Sequence, residues 1–380
     1  MFYLLSIIFL FWLFAFIDSV IGLRRINRVE DISSSPISDM VSVIVAAKDE
    51  EASIERTIQS LLAQTYPNME IILVNDRSED KTGDKMNNYE QLPFVRVLHI
   101  SSLPKGWVGK NHALYYGYKA ARGRYLLFTD ADVWHNPRTI EVALSYLGQE
   151  RADHLTLSPT LTASSYWLRS FIAYFLFGFG FFKRPWSAND DGSNKGGMGI
   201  GAFQLLTKDT YERIGTHQAF ASRPDDDLYL GQLVKSFGFK QRLATAKSLL
   251  TVEWYPSLSE AIKGLEKNTF AGLSYSWMLG FIAIVGTLLS QVLPFVTVWS
   301  TSGRTQLISL GIIVLLYTMY VISTRKLTSF SLMVIPVFPL TALLFVYTIT
   351  KALWKTYKHK GITWRGTFYS LEELRKHNKR

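Results

Sequence analysis

The chain has 380 residues, no cysteine, 48% apolar side chains and a formal net charge of +10. Without cysteine there is no disulfide framework and no thiolate metal site, which suits a cytosolic catalytic domain. The positive balance does not point to nucleic acid, because the charge lies beside apolar stretches, where attraction to anionic lipid accounts for it.

Residues 2–23 are apolar over the length a bilayer demands, and Arg24, Arg25 and Arg28 follow. A cleavable signal would carry its charge before the apolar run, so residues 1–23 are expected to be an anchor whose C-terminal side is cytosolic. Residues 24–40 then form a basic linker containing Ser33, Ser34, Ser35 and Pro36. An apolar strand at 41–47 runs into Lys48, Asp49, Glu50 and Glu51, and a helical stretch at 53–64 follows. A second strand at 70–74 ends in Asn75, Asp76, Arg77 and Ser78. Such a unit is right-handed, so Asp49 and Asp76 fall on one rim of a parallel sheet. Asp76 suits a helix N-cap as well as a ligand contact.

Gly109 and Lys110 stand where the chain enters a helix, so an ammonium and free backbone N–H groups can converge on a phosphate. Trp107 suits either a stacking role or the core. The buried strand at 125–128 ends in Thr129, Asp130, Ala131 and Asp132, at the carboxyl edge where open α/β sheets bind ligands. A carboxylate pair there can hold Mg²⁺ or Mn²⁺ against a diphosphate, since these ions take few protein ligands and fill the rest with phosphate and water. Clustered like charge costs stability unless a cation or donor-rich ligand offsets it. His112 and His135 are read as structural.

Residues 166–182 are aromatic-rich and flanked by Arg169, Lys183, Arg184 and Trp186, which fits an interfacial segment over 166–186; a buried core helix fits almost as well. The glycine-rich run 192–201 has the composition of a mobile acceptor loop, and it lacks the ending of a P-loop. Asp225, Asp226 and Asp227 open a helix closed by Gly238, where capping and the helix dipole also favour acids. Ser257 and Glu260 have capping-box spacing. Further apolar stretches occupy 275–299, 307–322 and 330–349, the last broken by Pro336 and Pro339, which suggests a re-entrant hairpin. The tail 351–380 has nine Lys or Arg against two Glu and is expected to be cytosolic.

The runs Ala47 to Glu51, Asn75 to Ser78, Gly109 to Leu114 and Asp130 to Asp132, in this order, resemble the GT-A domain of family 2 glycosyltransferases. The resemblance spans roughly 40–270. It implies an α/β, Rossmann-like, mostly parallel GT-A catalytic domain at 41–274, set between N-terminal and C-terminal transmembrane helices, the latter at 275–350. It also implies an inverting transferase using a nucleotide sugar, with a UDP-hexose expected, and a divalent cation. By that resemblance Ala47, Lys48 and Glu50 edge the base pocket and Asp76 meets uracil or ribose. Lys110 lies by the diphosphate, Asp130 faces the ribose and Asp132 the metal. The family's acidic pair stands about a dozen residues before a glycine, which aligns Asp226 and Asp227. Asp227 is then the general base, with Asp226 as runner-up.

Within the family, residues 106–110 and 361–369 look most similar to hopene-associated and carotenoid-acid (diaponeurosporenoate-type) glycosyltransferases. This adds a hydrophobic lipid or isoprenoid acceptor and a multi-pass protein of the cell membrane. The Gln-x-x-Arg-Trp signature of processive synthases is absent, and Val252, Glu253 and Trp254 stand near its place. A polysaccharide synthase and a non-catalytic membrane scaffold are therefore the less favoured alternatives. No nucleic-acid partner is expected.

Overall fold

A computed structural model of the protein describes residues 1–32, 38–273, 276–364 and 367–371. The linker residues Ser33 to Pro36 and the tail beyond 371 lie outside the described residues. In chain order the elements begin with α1 (Phe2–Arg24), β1 (Asn27–Arg28), β2 (Val41–Ala47), α2 (Ile54–Leu62), β3 (Met69–Asp76), α3 (Thr82–Asn87) and β4 (Val95–Ile100). There follow α4 (Gly109–Ala120), β5 (Tyr125–Asp130), β6 (Val133–His135), α5 (Thr139–Glu150), β7 (His154–Thr162), α6 (Tyr166–Lys183), β8 (Gln204–Thr207), α7 (Lys208–Arg213) and α8 (Asp226–Ser236). The last are β9 (Gln241–Glu253), α9 (Leu258–Gly272), α10 (Trp277–Thr287), α11 (Leu293–Ser300), α12 (Gly303–Leu327), α13 (Phe338–His359), β10 (Gly361–Trp364) and β11 (Thr367–Ser370).

These elements form two compact units, one of residues 24–161 and 183–253, the other of residues 1–23, 162–182 and 254–380. Helix α6, placed by the sequence inside a contiguous 41–274 domain, groups with the apolar helices.

The first unit is a mixed sheet in the order β1, β9, β7, β8, β5, β2, β3, β4, with β6 paired to β9. Strands β2 to β5 are parallel, and β8 joins β5 antiparallel. Their continuous apolar runs are explained by burial on both faces. Val43, Val45, Ile71, Leu73 and Leu127 face one layer with Ile54 and Ile58 of α2. Their neighbours Ile44, Ile72, Val74, Leu126 and Phe128 face the other, with Leu114 of α4 and Leu230 of α8. Each such side chain contributes about 1.5–3 kcal/mol on burial. Register sets the rim: Ala46 pairs with Asp130 and Ala47 with Asn75, so three strands end at one level.

In the second unit Trp12 of α1 stacks on Phe177 of α6, while Tyr174, Tyr320 and Phe338 join α6, α12 and α13. Three helical stretches are long and apolar enough to cross a membrane: Phe2–Arg24, Trp277–Ser300 and Gly303–Leu327. The second contains a π-turn at Leu288–Val292 just before Pro294. A proline has no N–H for the carbonyl four residues back, here that of Ser290, and the indole Nε1 of Trp12 donates to that oxygen instead at 3.2 Å. Tyr174 donates to Gln291 Oε1 at 2.7 Å in the same turn. The stretch with Pro336 and Pro339 is interrupted, with a short 3-10 turn at Leu332–Val334 and Pro339 in the first turn of α13. Ser257 accepts from the Glu260 amide at the start of α9, and Glu266 of α9 meets Lys351 and Lys355 of α13 at 2.8 and 2.5 Å.

Candidate active site

At the carboxyl edge of the sheet the turns after β2 and β3 are laced together. The Asp49 amide donates to Ser78 Oγ at 3.0 Å, Glu50 N to Thr82 Oγ1 at 2.7 Å, and Glu51 N to Asp80 Oδ2 at 3.0 Å. In return Glu79 N donates to Asp49 Oδ1 at 2.8 Å. Asp49 and Arg77 both adopt positive φ, at 55°, a conformation few non-glycine residues hold without such support. The turn carrying Ala47, Lys48 and Glu50 is therefore fixed beside Asp76. Asp76 is no helix cap: it is buried at the end of β3 and paired bidentately with Arg77 at 2.7 and 3.0 Å. Gly109 lets α4 come this close, since a Cβ there would collide with Asp76 Oδ2 and stand 2.8 Å from Arg77 Nη2.

Lys110, in the first turn of α4, reaches from one acidic element to another. Its Nζ lies 2.7 Å from Asp130 Oδ1 at the end of β5 and 3.4 Å from Asp226 Oδ2 at the start of α8. Burial alone would depress this ammonium, but the charges of Asp130, Asp226 and Asp227 outweigh it and hold the lysine protonated well above its ordinary range.

The three consecutive aspartates take three different partners, and none caps α8. Asp225 is held bidentately by Arg223 at 2.9 and 3.0 Å. Asp226 is buried and faces Lys110; burial first, then Asp227 and Asp130, push it up to about 7 against the pull of the lysine. Asp227 accepts the amides of Gly201 at 3.0 Å and Leu228 at 2.7 Å. Burial, followed by Asp130, raises its pKa despite Lys110 and those two amides. Gly238, at φ +80°, follows α8 as its glycine stop.

The glycine run 192–201 departs from the mobile loop its composition suggests. Its tip is exposed, but Gly197, Met198 and Gly199 are buried. A Cβ on Gly199 would meet the carbonyl of Asp227 and one on Gly197 the backbone of Gly231 and Gln232, so the glycines allow a close approach of main chains. Met198 N is anchored to Gln241 Oε1 at 2.8 Å. Gly201 ends the run by linking both acidic elements: it donates to Asp227, and its carbonyl accepts the Asp130 amide at 3.1 Å. The sequence offered Gly201 only as the last residue of the glycine run and Ser78 only as the end of a motif; Asp80 and Thr82, which complete the lace, had no signal.

Asp132 lies just past β5. Burial, with the charges of Asp130 and Glu50, pushes its carboxyl up to about 7. No cluster of three or more His, Cys, Asp or Glu that could enclose a metal exists among the described residues. A hard divalent ion held by one or two carboxylates, phosphate oxygens and water needs no such cage, and the like-charge crowding at Asp132 is what a cation relieves. The donor set fits such an ion. Trp107 stacks on Tyr115 with centroids 5.3 Å apart and meets His112 edge-on at 5.4 Å. His135 is buried on Thr129 Oγ1 at 3.2 Å, its pKa lowered by burial to about 3.

Residues 42–194 match the family model described as Glycosyl transferase family 2. The chain is 35% identical over 111 residues to a protein described as probable glycosyltransferase YdaM of Bacillus subtilis, covering 28% of this chain and 26% of that one. It is 33% identical over 114 residues to the UDP-Glc:alpha-D-GlcNAc-diphosphoundecaprenol beta-1,3-glucosyltransferase WfaP of Escherichia coli, covering 30% and 43%. The chain thus spans less than half the length of these curated relatives. Among solved structures, the mannosyltransferase PcManGT from Pyrobaculum calidifontis, in complex with GDP-Man and Mn2+, superposes with a TM-score of 0.52. That likeness covers 92% of this chain and 99% of that one at 17% identity, and it speaks for the fold. The described architecture is accordingly a GT-A-like mixed, mostly parallel sheet with long apolar helices on either side in the sequence, and its residues 42–194 are similar to glycosyltransferase family 2.

Proposed function

We propose that the protein transfers one sugar from a nucleotide sugar, a UDP-hexose, to a hydrophobic lipid or isoprenoid acceptor, with inversion. The observation that carries this reading is Lys110 held between Asp130 of β5 and Asp226 of α8, on the sheet edge where ligands bind. In this reading Ala47, Lys48, Glu50 and Asp76 receive the nucleoside, Asp130 the ribose, and Lys110 the diphosphate. Asp132 would hold the divalent ion, Mg²⁺ or Mn²⁺, which supplies positive charge to the departing diphosphate. Lys110, kept protonated, does the same from the opposite element.

Asp227 takes the proton from the acceptor hydroxyl as its oxygen bonds to the anomeric carbon and the nucleoside diphosphate departs. Its raised pKa makes it a stronger base than an ordinary carboxylate, and its two backbone donors fix its orientation. Attack from the face opposite the diphosphate in a single displacement turns an α-linked donor into a β-glycoside. The long apolar helices support a multi-pass protein of the cell membrane with a cytosolic catalytic unit, taking its acceptor from the bilayer. The likeness of residues 106–110 and 361–369 to carotenoid-acid transferases favours an isoprenoid acceptor.

Asp227→Asn should lower single-turnover transfer by about 10²-fold or more while UDP affinity stays near that of the parent. Asp226→Asn should be milder, and Asp225→Asn milder still. UDP binding and single-turnover transfer to membrane lipid, measured for all three, test the ordering. An inactive Asp226→Asn beside an active Asp227→Asn would move the base by one residue, and long polymer as product would replace the transferase with a synthase.

A further inference from the structure

Three main-chain carbonyls converge on one side-chain amide. Asn111 Nδ2 lies 3.0 Å from the oxygen of Phe220, 3.2 Å from that of Ala221 and 2.9 Å from that of Arg223. The Val108 amide adds a fourth link, to Ala221 O at 2.8 Å. Asn111 is fully buried, and its own Oδ1 has no partner among the described residues. Only an NH₂ group can face three acceptors, so the orientation of the amide is fixed by chemistry. Its two hydrogens are shared among them.

The placement gives this clamp a use. Asn111 follows Lys110 on α4, and the clamped segment 220–223 leads within two residues to Asp225, Asp226 and Asp227. The segment that leads into the acids of α8 is thus tied to the helix bearing the ammonium by one side chain, beside the Val108 amide. A segment that only needed its carbonyls satisfied could use ordinary turn bonds; here they are tied to the helix bearing the other half of the site.

We infer that Asn111 is a positioning residue for the transfer step, fixing Asp226 and Asp227 against Lys110 by holding segment 220–223. This rests on the transferase reading above. The partners of Asn111 are the carbonyls of Phe220, Ala221 and Arg223 and not Ala47, Lys48, Glu50 or Asp76, so its loss is expected to act on the acids of α8 before the nucleoside contacts. A misplacement of about 1 Å in a reacting group costs on the order of 10²-fold in rate.

The test uses the full chain in native membranes or detergent, with Asn111→Ser, which keeps one donor, and Asn111→Asp, which keeps the shape and removes the NH₂. The dissociation constant for UDP and the single-turnover rate with a UDP-hexose are measured together with thermal unfolding. UDP affinity is expected within about threefold of the parent for both variants. Single-turnover transfer is expected to fall by roughly 10-fold in the serine variant and 10²-fold in the aspartate variant. Equal losses of affinity and rate that track the folded fraction, or no loss of rate in a folded aspartate variant, would overturn the inference. A parent protein that binds UDP yet turns over no nucleotide sugar would overturn the functional reading itself, and the inference with it.

Discussion

A methyl group on residue 201 would stand 2.5 Å from Asp130 Oδ2 and 3.2 Å from Lys110 Nζ. The peptide of Gly201 also donates to Asp227 and accepts from Asp130, so any shift that relieves the crowding moves both acids. Gly201→Ala is therefore expected to cut turnover by at least about 10-fold, while overpacking costs about 1–3 kcal/mol of stability. Gly238→Ala is the comparison: nothing lies within 4 Å of its Cβ, but its φ of +80° strains an alanine. That change should cost about 1 kcal/mol in unfolding and leave turnover alone. Turnover and unfolding midpoints for the pair separate crowding at the site from backbone strain. Asp130 was legible as a residue from an apolar run ending in charge, Lys110 from the glycine before a helix start, and Asp226 from the acidic run opening a helix with a glycine stop. Their mutual distances were not, because they depend on how closely backbones from three distant segments approach, which glycine permits without announcing.

Arg242 near the start of β9 binds Asp191 at 2.6 and 2.8 Å and Glu150 of α5 at 2.7 Å. Asn189 adds bonds to Leu243 through both its amide and carbonyl, so the segment before the glycine run is fastened to β9. Hydrogen bonding to Arg242 is the main cause that holds Asp191 at about 2, below its ordinary 3.8. A carboxylate whose folded pKa is depressed stabilises the fold above its unfolded pKa, and loses that contribution as pH falls through the folded value. Asp191 is half exposed, so solvent screens much of the pair. Asp191→Asn should lower stability at neutral pH slightly and flatten the decline of the parent between about pH 4 and pH 2. Unfolding midpoints of both proteins across that range provide the check, and parallel curves would exclude the pair as an acid-sensitive fastening. The strands of the parallel core and the starts of α4 and α8 were legible from uninterrupted apolar runs and glycine stops. The fastening was not, since an arginine in a β-strand reads as a surface residue until its partners are known.

The whole molecule draws one of its two units from three stretches, 1–23, 162–182 and 254–380, so its packing depends on contacts far apart in the chain. Apolar length made the candidate spans legible, whereas the partnership of α1 with α6 and the π-turn at Leu288–Val292 had no local signal. Trp12 carries much of it. Trp12→Phe would keep an aromatic ring but leave the Ser290 carbonyl without its donor, an expected loss of about 1–3 kcal/mol. Thermal unfolding in detergent measures it; an unchanged midpoint would mean that the oxygen finds another donor. The same bond imposes an order in time. Trp12 and Ser290 are 278 residues apart, so at about 5–20 residues per second the indole waits roughly 15–55 s after its own synthesis before its acceptor exists. During that interval the indole has no Ser290 carbonyl to donate to, and the helical unit can close only after α12 and α13, which supply Tyr320 and Phe338 to the same cluster, have followed.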